Sequence, residues 1–233
     1  MPSRRAFLSR LGAAGMAVAG LTTLSGPAAA LARDEYKPDH VTLSYDQALL
    51  ERYRPRLVFE DDSRDQLIGL YGWYATSPEF DTDVAVYWAS YTHQTGVTDF
   101  DSHYGDHEPL YVFVNSTTGE VQRVVYSAYH WLKGTTVTDR EHPQFAVIHP
   151  WHHYIQTTTE GVLVGVDDLH SVFDSWLTNG LEEDLATGSV VNPWSMLSRG
   201  DWWRRGSFGL SRGELLASVY YRLGLHDAGR ANL

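Results

Sequence analysis

The segment Asp99-Phe100-Asp101-Ser102-His103-Tyr104-Gly105-Asp106-His107-Glu108 packs four carboxylates and two imidazoles into ten residues, and an apolar run, Leu110 to Val114, follows at once. Carboxylates and imidazoles are hard-to-borderline ligands for divalent cations. A strand start is a rigid place to hold them. Calcium or magnesium suits so acidic a set, and the imidazoles keep zinc and manganese compatible. The bland alternative is a solvated acidic loop ahead of a strand.

Alternation decides which of these groups can converge. Residues two apart in a strand share a face, so Asp106 and Glu108 point the same way, roughly 7 Å apart. Leu110, Val112 and Val114 continue that row, which places both acids at the end of a core-facing face. Carboxylates there need compensation, from a cation or from an arginine. His107 alternates to the opposite face. A hairpin centred on Thr117 pairs residues whose numbers sum to about 234, which brings His103 beside His130. A third imidazole group, His149-Pro150-Trp151-His152-His153-Tyr154, follows the next strand, and eight of the eleven histidines fall between residues 93 and 153. His103, Asp106, Glu108 and His130 are therefore expected to cluster at one end of the sheet. His130 and His153 are candidate general bases or acids should the site be catalytic.

The elements that must position these groups are mostly strands. Ser44 and Gln47 form a capping box for a short helix, Tyr45 to Tyr53, which Pro55 stops. Strands are expected at 56–60, across 67–94, at 110–114 and 121–129, and at 144–148 and 162–166, rich in β-formers and punctuated by turn residues. Leu169, Val172, Phe173, Trp176 and Leu177 have helical spacing, with Asn179-Gly180 as the stop. Ser211 and Glu214 cap a last helix through Leu223. The Trp202-Trp203-Arg204-Arg205 run reads as a loop packed over the body by Arg–aromatic stacking. The fold class is α+β and β-rich: an antiparallel β-sandwich with flanking helices, two of them near the C-terminus.

Ser3-Arg4-Arg5-Ala6-Phe7-Leu8 matches the twin-arginine export pattern, and a Gly/Ala-rich stretch too short for a membrane span follows. Residues 1–32 are the expected signal peptide and 33–233 a single domain, periplasmic or extracellular, with no membrane-spanning helix after processing. Loss of Arg4, Arg5 and Arg10 takes the formal net charge from −11 to −14. So acidic a surface excludes nucleic acid and anionic lipid as non-specific partners. There is no cysteine, hence no disulfide and no thiol nucleophile. Serine-elbow and phosphate-loop motifs are also missing. Nothing in the composition indicates an oligomeric state.

His103-x-x-Asp106-x-Glu108 resembles part of the central motif of the necrosis- and ethylene-inducing-like proteins. It also resembles the Gly-Asp-x-Glu segment of a plant family related to a yeast vacuolar protein-sorting factor. The strand ending at His130, and the His142-Pro143-Gln144-Phe145-Ala146-Val147-Ile148 strand followed by a histidine and Tyr154, come in the same order, over roughly residues 84–160. The resemblance implies a β-sandwich and a divalent cation held by Asp101, His103, Asp106 and Glu108, with Asp99 as alternative to Asp101. It implies a histidine beside the metal at His130, and a last one at His149, His152 or His153. It also implies recognition of a sugar or lipid head group. His107 stands where that family usually has an aromatic. Three functions follow: a cation-dependent recognition protein, a metal-dependent hydrolase of an ester or phosphodiester, or a scaffold with a structural ion.

Overall fold

The computed structural model describes residues 36–60, 62–95, 102–129, 132–176 and 187–199, with Val219 and Leu223. The elements in order are β1 (Thr42–Ser44), α1 (Gln47–Tyr53), β2 (Arg56–Phe59), α2 (Ser63–Gln66), β3 (Leu67–Thr76), β4 (Thr82–Gln94), β5 (His103–Asn115), β6 (Val121–Tyr129), β7 (Leu132–Val137), β8 (Gln144–Val147), β9 (Tyr154–Gln156), β10 (Val162–Leu163), β11 (Val166–Asp168), α3 (His170–Trp176) and α4 (Thr187–Val191), then a 3-10 turn, Pro193–Leu197.

Seven strands form the larger sheet in the order β1-β3-β4-β5-β6-β7, with β11 also on β3, and four form the smaller one, β10-β2-β8-β9. Among the described residues, only the β11–β3 and β2–β8 pairs are parallel. β11 meets β3 at 70–72 and β1 meets it at 74–76, so two distant stretches share its outer edge. The smaller sheet and α1 cover one face of the larger, burying Leu50, Leu57, Phe145 and Tyr154 against Tyr87, Leu110 and Val112. The helical segments cover the other, burying Phe173, Trp176, Trp194 and Met196 against Trp73, Trp88 and Tyr111. The central strands are thus apolar on both sides. That is why 84–91 reads as a continuous run of strand formers rather than a strict alternation.

Two sequence expectations shift. The cap of α1 is Asp46, whose carboxylate accepts from Leu49 N at 3.0 Å. Ser44 is instead drawn into β1, opposite Tyr74. The β5–β6 hairpin is offset by two residues from a turn centred on Thr117: Phe113 faces Arg123, not Val121, before a register shift at Val114. Asn115 takes the amides of Thr117 and Thr118, and Gly119 supplies a φ of +73°. An offset of two keeps every side chain on its expected face. β7 was not anticipated, because its Leu-Lys-Gly-Thr-Thr-Val sequence carries little apolar signal.

Candidate functional site

Asp106 and Glu108 lie on one face of β5, in the row that continues through Leu110 and Val112, and are 4% and 3% exposed. The neighbouring strand sets their surroundings. Tyr91 stands opposite Asp106 and Ala89 opposite Glu108. The residue before Asp106, Gly105, has a φ of +69°, a left-handed bend inside a strand that favours glycine.

The connection from β8 to β9 supplies the third group. Ile148 closes it twice: its carbonyl accepts from His152 N at 2.8 Å, and its amide donates to His153 O at 3.0 Å. The loop includes a cis His149–Pro150 bond, and His152 takes a left-handed φ of 57°. This turn points the His152 ring into the body, where it is fully buried. Its Nδ1 lies 2.7 Å from Asp106 Oδ2, and its Nε2 lies 2.6 Å from the Gln66 side-chain amide, both within hydrogen-bonding distance. The ring stacks on Tyr91 with centroids 3.9 Å apart and planes 4° from parallel. The Gln66 amide nitrogen faces His93 Nε2 at 3.4 Å, and His93 Nδ1 meets Thr92 Oγ1 at 2.9 Å. From β9, the Tyr154 hydroxyl donates to the Glu108 carbonyl at 3.2 Å.

The electrostatics show that the acids and phenols share one enclosure. Burial pushes the Tyr91 phenol well above its usual range, and the carboxylates of Glu108 and Asp106 push it further the same way. The same burial, then Tyr91 and both carboxylates, raises Tyr154. Both phenols are therefore held neutral beside the acids.

At the β8–β9 turn, His152 has its ring on Asp106. His153 is buried with its ring 6.2 Å from that of Trp151, and His149 lies near the Ser63 hydroxyl. His107 is on the opposite face, as alternation requires, with its ring 4.1 Å from Trp176. Asp99, Asp101 and His130 lie outside the described residues, and so do the Trp202–Arg205 run and the last capping box. Of His103 the strand position is described, opposite Gln94, and not the side chain. Among the described residues no three His, Asp or Glu side chains form an ion cage. The two carboxylates of β5, with one oriented by an imidazole, are nonetheless a donor set that fits a hard divalent cation. Sequence reasoning missed Tyr91 and Gln66. Tyr91 was within reach, since it continues the face of Tyr87 and Ala89. Gln66 carried no signal, being a common polar residue ahead of a strand.

Fold and site together define an α+β β-sandwich with a buried carboxylate–imidazole cluster at one end of its longer sheet. No family model matches the chain, and no curated protein does. Several solved structures are similar to it. The necrosis and ethylene inducing protein 2 from the causal agent of cocoa's Witches Broom disease is 16% identical, covering 69% of this chain and 93% of its own, with a TM-score of 0.48. The NLPPya protein in complex with glucosamine is 15% identical, covering 57% and 77%, with a TM-score of 0.44. A structure described as a toxin fold for microbial attack and plant defense is 14% identical over the same shares, with a TM-score of 0.45. At that identity and overlap the likenesses bear on neither ligand nor mechanism.

Proposed function

We propose that this chain is an exported β-sandwich protein that recognises a sugar or lipid head group through a divalent cation held at the start of β5. One observation carries the reading: Asp106 and Glu108 are buried side by side at the end of a core-facing row, with His152 turned inward onto Asp106. Two acids so enclosed are costly unless a positive charge balances them. Calcium or magnesium would be held by Asp106 and Glu108, with Asp101 or Asp99 and His103 completing the set that the motif suggests. The ion would supply a Lewis-acidic centre for hydroxyl or phosphate oxygens. The chain's own residues do the rest. His152 occupies Asp106 Oδ2 and fixes the plane of that carboxylate, while the neutral Tyr91 and Tyr154 close the inner wall. The twin-arginine segment supports export.

Titration calorimetry with calcium and with magnesium tests this on the mature protein and on the Asp106→Asn and Glu108→Gln variants. Binding should weaken about tenfold or more in each variant. Glycan-array and liposome binding should then require the cation, with no turnover of an ester or phosphodiester panel. Wild-type protein that binds no ion would sink the proposal. Turnover lost with Glu108→Gln would convert it to a hydrolase. Ion binding that changes only the melting temperature would make the ion structural.

A further inference from the structure

The ring of His152 is held from three sides and its backbone from a fourth, and one of the holders comes from a part of the chain with no place in the motif. The Asp106 carboxylate and the Gln66 amide oxygen lie 2.7 and 2.6 Å from its two nitrogens, Tyr91 covers one face, and the Ile148 carbonyl fixes its backbone. Both ring nitrogens are thus engaged, one by the carboxylate and one by the side-chain amide. The other end of the Gln66 amide meets His93 Nε2 at 3.4 Å. Gln66 is the last residue of α2, a single helical turn between β2 and β3. It is 86 positions from His152, so the contact ties this turn to the β8–β9 loop directly over the carboxylates.

We infer that Gln66 is a positioning residue of the site: by its hydrogen bond with His152 Nε2 it fixes the ring's rotation and, through the ring, the plane of Asp106. This rests on the cation reading above for its consequence, and on geometry alone for its cause. Without that bond, His152 is free to swing about its Cβ–Cγ bond within the space Gln66 leaves. Asp106 Oδ2 then loses a partner whose direction was set. Outer partners of this kind change metal affinity by about 10- to 100-fold while leaving the ligands in place. The strained backbone of His152 argues that the arrangement is held by its neighbours rather than by local preference.

The experiment uses the mature protein with Gln66→Leu, Gln66→Asn and Gln66→Glu. Leu removes the hydrogen bond at similar volume. Asn keeps the polarity and withdraws the oxygen by one methylene, which guards against a Leu variant that fails to fold. Glu keeps an oxygen acceptor in reach. Magnesium or calcium affinity is read by calorimetry, the ion-free melting temperature by scanning calorimetry, and the His152 ring N–H signals by NMR. The expected result is a loss of affinity of about tenfold or more in Leu and Asn, recovery in Glu, and ring N–H signals that are slow to exchange in wild type and Glu but broadened away in Leu and Asn. Unchanged N–H signals and unchanged affinity in Leu and Asn overturn the inference. A fall in melting temperature with affinity and signals intact also overturns it, because that marks a purely structural contact. If wild type binds no ion while its N–H signals still depend on Gln66, the positioning role stands and the cation reading is what fails.

Discussion

At the scale of single residues, His152 sits in a backbone conformation that non-glycine residues rarely adopt, and both of its ring nitrogens nevertheless have partners. Removing it takes one partner from a buried carboxylate, a change that typically costs several kcal/mol. His152→Ala should therefore lower the free energy of unfolding by about 3 kcal/mol, read from urea melts. A loss under about 1 kcal/mol would show that solvent or a neighbouring side chain replaces the imidazole at little cost. Part of the site was legible at this scale. Two-residue alternation alone put Asp106 and Glu108 together, and His107 apart from them. That the His152 ring would turn onto Asp106 was not legible, because it depends on a left-handed turn that the sequence does not announce. Gln66 was invisible because its role exists only across a separation of 86 positions.

At the scale of elements, β3 is pressed from several sides. A Cβ at Gly72 would lie 2.8 Å from the Val86 carbonyl, 3.0 Å from Val166 and 3.2 Å from Leu50, so β4, β11 and α1 all press on that one position. Backbone cannot step aside as a flexible side chain can. Gly72→Ala should destabilise by about 2 kcal/mol, whereas Gly165→Ala, with open space around it, should change stability by under about 1 kcal/mol. Thermal melts of the two variants side by side would check this, and equal melting temperatures would contradict the packing argument. Most strands were legible from β-formers and turn residues. The exceptions have physical causes. Ser44 resembles a cap and is claimed by β1, since cap and strand edge compete for the same short segment. The 162–166 run splits into β10 and β11, which belong to different sheets.

At the scale of the whole molecule, enclosing the larger sheet between two layers buries its tyrosines deeply. Burial is the leading reason that Tyr87, Tyr91, Tyr111 and Tyr154 all ionise well above the usual phenol value of 10.0. The sign follows from linkage. In the unfolded chain these phenols lose protons from about pH 10, while the folded chain keeps them. Their contribution is therefore fully present below that pH and is lost as pH rises above it. A titration followed at 295 nm and by circular dichroism should show these rings ionising together with unfolding, not before it. Reversible ionisation of all the tyrosines near pH 10 with the fold intact would contradict this. The sandwich itself was legible from strand spacing. That the longer sheet would be the middle layer was not, because apolar runs do not say which partner covers which side.

The outer edge of β3 has a consequence for how the molecule comes together. Its seam is stitched by residues 42–44 and 166–168, and the Tyr45 hydroxyl reaches the Val166 carbonyl across 121 positions. Such a join forms only after the intervening chain has been ordered, since loop closure opposes it until then. Until that moment the flank of β3 is an open template on which a second molecule could add a strand. Maturation should thus carry a window of self-association risk that ends abruptly when β11 locks in. A chain that crosses its membrane already folded would pass that window before it leaves the cytoplasm.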